Sequence, residues 1–321
     1  MRGRVCWLGL WIVFLATAGA QDVHFSHLDF HPALLNPASA GSSSYRIGAA
    51  YRSQWTSVSD PFRTFAFVAD IPLWHSRYRR DVVGVGLQGL RDQAGTLAYG
   101  ITAAAIQVAY HRQIGWNHRL SIGAEGGGQR TGYNTARADL YDVAETLDGE
   151  TARYPTVGGG LAWLYTPDAD WWLHVGVAAH HLNRPKNTVA DGTSRLQPRY
   201  LLSLRSCHGL GDHWSLSPLM VAQWQHDAQE ICMGGDARWT YDKMDPHWFS
   251  LSAGAVLRTG DAWIFSIEAE YRSLAVMLCY DANISGLSKA SSGYGAMELG
   301  VRYEFNRTQK KRDKALPCPI L

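Results

Sequence analysis

Apolar and polar residues alternate along most of the chain with a period of two. Between Tyr45 and Trp55, aromatic and aliphatic side chains occupy odd positions, whereas Arg46 and Arg52 occupy even positions. Because successive side chains of a β-strand point to opposite faces, this alternation predicts a strand whose faces meet different environments. The alternation recurs at 65–71, 120–125, 173–177, 199–205, 265–271 and 298–305.

The repeated segments predict about 14 strands of roughly 9 to 11 residues, the length that a tilted strand needs to cross a bilayer. The region 96–112 is irregular, because its apolar residues change parity between Ile101 and Ile106. We expect a β-bulge or a late strand start there.

The predicted connections differ in length according to their order. Long segments fall at odd-numbered connections, and short turn-like ones, such as 166–170 and 207–212, fall at even-numbered ones. The long segments are 129–155, 183–198 and 282–293. This is the pattern of an outer-membrane barrel with its N-terminus in the periplasm and its odd-numbered loops outside the cell.

Tryptophans near the predicted strand ends fit an aromatic girdle at the membrane interface. They are Trp55, Trp74, Trp116, Trp171, Trp214 and Trp248. A soluble β-propeller is also rich in glycine and tryptophan, but no repeat of about 40 to 50 residues supports that alternative.

The first 20 residues are typical of a secretory signal peptide. Arg2 and Arg4 precede an apolar run, and small residues at 18–20 predict cleavage before Gln21. Cys6 lies inside the apolar run, too early for the lipidated cysteine of a lipoprotein. After the leader no run of about 18 or more apolar residues follows, which excludes helical membrane spans.

The sequence therefore predicts an all-β fold, a transmembrane antiparallel β-barrel of the outer membrane. We divide the chain into a signal peptide, a periplasmic plug or lid, a barrel and a basic periplasmic tail. The ranges are 1–20, 21–44, 45–306 and 307–321, respectively.

Composition agrees with a β architecture and with no nucleic-acid function. The chain has 32 Gly, 13 Trp and 15 Tyr, and its net charge is only +2. The cysteines beyond the leader match no zinc signature and allow a disulfide without specifying a pair. They are Cys207, Cys232, Cys279 and Cys318.

Motifs that resemble catalytic or cofactor sites have a structural explanation in each case. Gly84, Gly86 and Gly89 match G-x-G-x-x-G, but a strand continues through them where a dinucleotide site needs a turn into a helix. They are better explained as small residues facing a crowded lumen. His180 and His181 are neighbours on a predicted strand, so they should point to opposite faces and not share a metal ion. We therefore assign no catalytic, metal or cofactor residues and expect no cofactor.

Charged residues of both signs are predicted to face the barrel lumen. They form either a selective channel or socket for a guest, or a self-neutralising network that holds the interior, and we favour the network because buried charges must pair. The candidates are Arg46, Arg52, Glu125, Arg205, Arg238, Glu268, Glu298 and Arg302.

The segment HPALLNPASAG, residues 31–41, is predicted to form an ordered plug or lid at the periplasmic mouth of the barrel. Pro32 is suited to open a short helical turn, and Asn36 before Pro37 ends it. We predict that this region contacts the barrel mouth or a partner protein, or that it is merely a structural lead-in to the first strand. The contact candidates are Phe25, Phe30, Leu34, Leu35, Asn36 and Pro37.

Four strings, in order along the chain, resemble the PorP/SprF family of the type IX secretion system. They are QDVHFSHLDFHPALLNPASAGSSSYRIGAAYRSQW at the predicted mature start, HHLNRPK with PRYLLSL, CYDANISGLSKASSGYGAMELGVRYEF, and Cys318-Pro319. Ser53 stands where the family motif has Asn, and the chain ends in Ile320-Leu321, where a basic-aromatic pair is expected.

The resemblance implies an outer-membrane barrel of a Bacteroidetes-type bacterium, needed to export cargo or to place gliding adhesins on the surface. Its implied partners are periplasmic ring or peptidoglycan-associated components, the outer-membrane translocon and the C-terminal domains of cargo. A barrel of about 14 strands is too narrow for a folded protein, so we expect an anchor, cargo receptor or adaptor. The alternatives are a diffusive channel or porin and, more weakly, a barrel hydrolase.

Overall fold

The protein is described by a computed structural model that covers residues 22, 25–27, 30–42, 44–54, 61–76, 80–94, 99–132, 151–186, 195–241, 248–286 and 293–305. The predicted signal peptide, Trp55, Cys318 and the tail 307–321 lie outside the described residues, and predictions about them stay predictions.

Fourteen strands make up nearly all of the regular structure of the described residues. They are β1 Tyr45–Gln54, β2 Phe62–His75, β3 Val82–Ala94, β4 Tyr99–Ile114, β5 His118–Gly132, β6 Thr151–Tyr165, β7 Trp171–His180, β8 Arg199–Leu210, β9 Trp214–Gln225, β10 Ala228–Tyr241, β11 Phe249–Arg258, β12 Ala262–Tyr271, β13 Leu274–Asn283 and β14 Tyr294–Phe305. A helical turn, α1, at Pro32–Leu35 and a 3₁₀ turn at Pro37–Ser39 precede them. None of the helices in the described part of the chain is long and apolar enough to cross a membrane.

The strands form one closed antiparallel barrel. Each pairs with its neighbours in the chain, and β1 closes the ring by pairing with β14 from Tyr45 opposite Phe305 to Gln54 opposite Ala296. Closure gives every described strand a hydrogen-bonded neighbour on both sides, as a barrel in lipid requires. The predicted fold class and strand number are confirmed.

The two faces of the barrel differ as the alternation predicts. In β1, Arg46 and Arg52 are buried inside, whereas Ile47 and Tyr51 are exposed outside. A belt of outward apolar side chains surrounds the barrel, as lipid contact requires. It includes Phe65, Ile71, Leu87, Ile106, Ile122, Leu161, Val177, Leu202, Leu251, Phe265, Ile267, Leu278, Leu299 and Val301.

The connections define two different ends. The long-loop end carries the three longest connections, 133–150, 181–198 and 284–293, together with the tight turn 226–227. The short-turn end carries 115–117, 211–213 and 272–273. Exposed aromatic residues ring both ends: Trp74, Trp116, Trp214, Tyr241, Tyr271 and Tyr303 at the short-turn end, and Tyr200, Trp224, Trp263, Tyr280 and Tyr294 at the long-loop end.

Strand β4 has no bulge, which corrects one expectation for the irregular region. Its register is continuous with β3 and with β5. Ile101 points inward and Ile106 points outward. The parity changes because the apolar residues lie on the inner face at the start of β4 and on the outer face further along the same strand. The irregular registers lie elsewhere, in β2 after Pro72 and in β13 after Asp281.

Candidate functional site

The N-terminal segment, which we define as the described residues from Asp22 to Ser44, lies inside the barrel. Asp22 contacts His181 and Arg199 at the long-loop end. Ser44 donates to Glu304 at 3.2 Å near the short-turn end. The segment thus runs the length of the lumen, whereas the sequence placed 31–41 at the mouth.

Local sequence explains the shape of the segment. Pro32 is the first residue of α1, where its missing N–H costs nothing, and the Asn36 amide donates to Pro32 O at 3.0 Å. Asn36 leaves the helix in extended conformation, and its side chain accepts from the Ala38 amide at 2.9 Å. The predicted turn and its end agree with the structure, whereas the following 3₁₀ turn was not foreseen.

Asn36 also fastens the segment to the barrel wall. Its Nδ2 donates to Leu161 O at 3.0 Å and to Val177 O at 3.2 Å, which belong to paired residues of β6 and β7. Gly160 and Gly176 make room for this amide, because a Cβ at either position would meet the Asn36 side chain. The absence of side chains at these two positions lets the amide reach the strand backbone.

Glycines on β3 and β5 receive the second half of the segment. A Cβ on Gly84 would overlap the backbone of Ala40, and one on Gly123 would overlap the backbone of Pro37 and Ala38. Gly84 and Gly86 therefore face a crowded lumen as predicted, whereas Gly89 points outward into open space.

Side chains of β4 bind the carbonyl groups of the segment. Gln107 Nε2 donates to Ala33 O at 2.8 Å, and His111 Nε2 lies 2.9 Å from Ala40 O. Since a carbonyl only accepts, His111 carries its proton on Nε2, and its Nδ1 accepts from Ser121 Oγ at 2.8 Å. This Ser–His pair is buried beneath the segment, so it serves as an anchor.

Ser26 joins the segment to a buried ionic cluster near the long-loop end. Its amide donates to Glu298 Oε2 and its hydroxyl to Asp281 Oδ2, both at 2.8 Å. Arg52 and Arg258 both bind Asp281, at 2.9 and 3.0 Å, and both donate to Ser26 Oγ. The cluster thus connects β1, β11, β13 and β14 through one residue of the segment.

A second ionic cluster surrounds Phe30. Arg238 binds Glu268 at 3.2 Å, and Arg302 binds the same carboxylate at 3.3 Å. Arg302 also donates to Phe30 O at 3.0 Å and lies 4.6 Å over the Phe30 ring. Phe30 itself is buried among apolar residues of β12 and β13.

All eight charged residues that the sequence assigned to the lumen face inward. The two clusters hold Arg52, Glu298, Arg238, Glu268 and Arg302; Arg46 binds Asp70, Arg205 binds Asp236, and Glu125 binds His180. Sequence reasoning missed the partners Asp70, Asp236, Arg258 and Asp281, although their inward parity was a usable signal.

His180 and His181 both turn toward the lumen, contrary to the prediction of opposite faces. His181 lies just beyond β7 with φ of 56°, so the strand alternation no longer applies to it. Its Nε2 lies 2.7 Å from Asp22 Oδ2, while His180 Nε2 lies 3.1 Å from Leu35 O. Burial alone raises the pKa of Asp22, but the His181 hydrogen bond and the Arg199 charge outweigh it and hold this pKa well below its usual range.

The contact candidates of the N-terminal segment meet the barrel's own interior. Phe30, Asn36 and Pro37 are buried, and Phe25, Leu34 and Leu35 are partly buried along an internal cavity of about 140 Å³. Among the described residues no group of three or more His, Cys, Asp or Glu could hold a metal ion. Cys207 is disulfide-bonded, and Cys232 and Cys279 are free and buried.

Comparison with known proteins gives one family match. The family model for the type IX secretion system membrane protein PorP/SprF matches residues 17–303. No curated protein matches the chain.

Solved structures with a similar shape include transport proteins. The Pseudomonas putida toluene transporter TodX has a TM-score of 0.49 at 10% identity, over 86% of this chain and 93% of that one. A FadL homologue from Pseudomonas aeruginosa has a TM-score of 0.47 at 11% identity, over 84% of this chain and 93% of that one. The KdgM porin has a TM-score of 0.40 at 7% identity, over 81% of this chain and 99% of that one.

Proposed function

Because the chain belongs to the PorP/SprF family of type IX secretion system membrane proteins, we propose that it is a non-enzymatic outer-membrane component of that system. It acts as an anchor, cargo receptor or adaptor in the export or surface attachment of cargo proteins, including gliding adhesins. Its partners are periplasmic ring or peptidoglycan-associated proteins, the outer-membrane translocon and the C-terminal domains of cargo. A signal peptide brings the chain to the outer membrane of a Bacteroidetes-type bacterium.

The filled lumen is the observation that carries the adaptor role. The N-terminal segment contacts strands on all sides of the barrel, through Asn36 at β6 and β7, Ala40 at β3 and β4, and Phe30 at β12, β13 and β14. Paired charges immobilise the side chains around it. A passage that is too narrow for a folded protein and is occupied along its length favours binding over conduction.

The proposal is tested by deleting the gene and profiling secreted and surface proteins. We expect cargo to be retained in the periplasm and to return to the surface when the wild-type gene is restored. Normal secretion together with reduced uptake of small solutes would contradict the adaptor role and favour the alternative, a diffusive channel.

Conductance provides a test of the plugged lumen itself. The purified protein in a planar lipid bilayer should show no sustained current, whereas a variant lacking residues 23–42 should conduct ions. Steady porin-like current through the wild-type protein would argue for a channel.

A further inference from the structure

An apolar recess interrupts the polar lining of the lumen. It is the part of the cavity of about 140 Å³ where the N-terminal segment faces the wall formed by β3 and β4; polar residues of β5 to β9 and β14 line the rest of that cavity. Inward side chains of that wall are Leu90, Ile101, Ala103 and Ala105, at positions where other strands carry charged residues. Ile101, Ala103 and Ala105 also cause the change of parity in 96–112.

Apolar side chains of the N-terminal segment form the facing wall. Phe25, Phe30, Leu34 and Leu35 line the cavity opposite the strand residues. Protein interiors are normally close-packed, and a gap deprives both of its walls of dispersion contacts. A molecule that fills the recess would restore those contacts and tie the segment to the wall.

Gln88 places an unpartnered polar atom on the strand wall of the recess. Gln88 Nε2 donates to Glu125 Oε2 at 3.3 Å, but the buried Gln88 Oε1 accepts no hydrogen bond from the described residues. Glu125 is already engaged by His180 and Gln107. On the wall formed by β3 and β4 the recess therefore offers this acceptor to an incoming donor, while the other unpartnered polar atoms of the described lining belong to His31, His181 and Arg199.

The charged groups along the recess neutralise one another. Asp22 pairs with Arg199 and His181, and Glu298 pairs with Arg52. An ionic ligand would need a free counter-charge at the site to offset its desolvation. The lining therefore selects for a neutral molecule.

We propose that this recess binds a small, neutral, mainly apolar molecule with one hydrogen-bond donor, about as large as a monosubstituted benzene. An apolar cavity of about 150 Å³ is known to hold benzene, and Gln88 Oε1 accepts the donor. Occupation stabilises the plugged barrel, and the proposal does not depend on the secretion role.

Titration of the purified full-length protein in detergent, with phenol, toluene and benzoate as probes, tests the site by calorimetry. Phenol should bind saturably and raise the thermal midpoint, and benzoate should not bind. Gln88→Leu should weaken phenol about fivefold, the loss of one neutral hydrogen bond, and leave toluene unchanged.

Two substitutions separate the recess from the lipid-facing surface. Ala103→Phe fills the recess and should abolish binding of phenol and toluene, whereas Ala124→Phe, on the outward face of β5, should leave both unchanged. Ala105→Leu repeats the first test with a smaller side chain if Ala103→Phe does not show heat-modifiable gel migration. Absence of saturable phenol binding, equal binding of benzoate, or unaltered binding in the filled variants would overturn the proposal.

Discussion

Single glycines determine how closely the N-terminal segment approaches the barrel wall. The backbone of Ala40 lies where a Cβ of Gly84 would be, whereas Gly89 on the same strand has open space. Backbone atoms cannot yield as a flexible side chain can, so the fit at Gly84 depends on the absence of one methyl group.

We predict that Gly84→Ala displaces the segment and lowers the free energy of unfolding by about 1–3 kcal/mol. Limited proteolysis should then cleave the segment faster than in the wild-type protein. Gly89→Ala is the matched control and should behave as wild type. Equal protection in both variants would mean that the segment does not need the close contact.

His31, in the N-terminal segment, makes the stability of the folded protein sensitive to acid. Burial lowers its pKa to about 3, and the charges of Arg302, Arg46 and His27 also disfavour a proton, whereas the backbone carbonyl of Ala49 favours one. The unfolded chain binds a proton on His31 near pH 6.5. The contribution of neutral His31 to the free energy of unfolding is therefore fully present above that pH. It is lost as the pH falls through the window from about 6.5 to about 3.

We predict that His31→Asn makes stability less dependent on pH than in the wild type between pH 8 and pH 5. Urea unfolding at several pH values provides the measurement. His75→Asn, at an exposed position at the end of β2, is the control and should keep the wild-type slope. A variant at position 31 with that same slope would show that this histidine does not titrate in the window.

At the scale of elements, the ionic cluster at Ser26 holds strands together that are distant in sequence. Arg52 on β1, Arg258 on β11 and Asp281 on β13 share contacts with Ser26 of the N-terminal segment. Removing one partner of a buried cluster leaves an uncompensated charge, which costs far more than losing an exposed pair.

We predict that Arg52→Met destabilises the barrel by about 3–5 kcal/mol, because Asp281 and Glu298 lose a counter-charge. The midpoint of denaturant unfolding followed by tryptophan fluorescence would report it. Asp227→Asn, which removes the exposed pair with His226, should change stability by less than about 1 kcal/mol. Similar effects of the two substitutions would contradict the structural role of the cluster.

At the scale of the whole molecule, the two ends of the barrel should lie on opposite sides of the outer membrane. Long loops normally face the cell exterior in such barrels. The exposed Asp227 lies at the long-loop end and the exposed Asp212 at the short-turn end.

We predict that a membrane-impermeant maleimide labels Asp227→Cys in intact cells but labels Asp212→Cys only after permeabilisation. The native thiols Cys232 and Cys279 are buried and give little background. Labelling with the opposite preference would reverse the orientation, and with it the side on which cargo meets the protein.

The sequence by itself determined the fold class, the approximate number of strands and the inward direction of the eight charged residues assigned to the lumen. Strand alternation depends only on local backbone geometry. Arg46, Glu268 and the other inward charges can therefore be recognised in the sequence, because they occupy the polar positions of the alternation. The turn at Pro32 and its end at Asn36 are likewise local properties.

Only the tertiary structure decided where the N-terminal segment lies and which residues it joins. Asn36 meets Leu161 and Val177, and Ser26 meets Asp281, across separations of 125 to 255 residues that no local pattern encodes. The apolar wall at Ile101 looked like a strand irregularity, because a period of two cannot tell an inner apolar face from an outer one. In the closed barrel this wall faces inward and lines the recess beside the N-terminal segment.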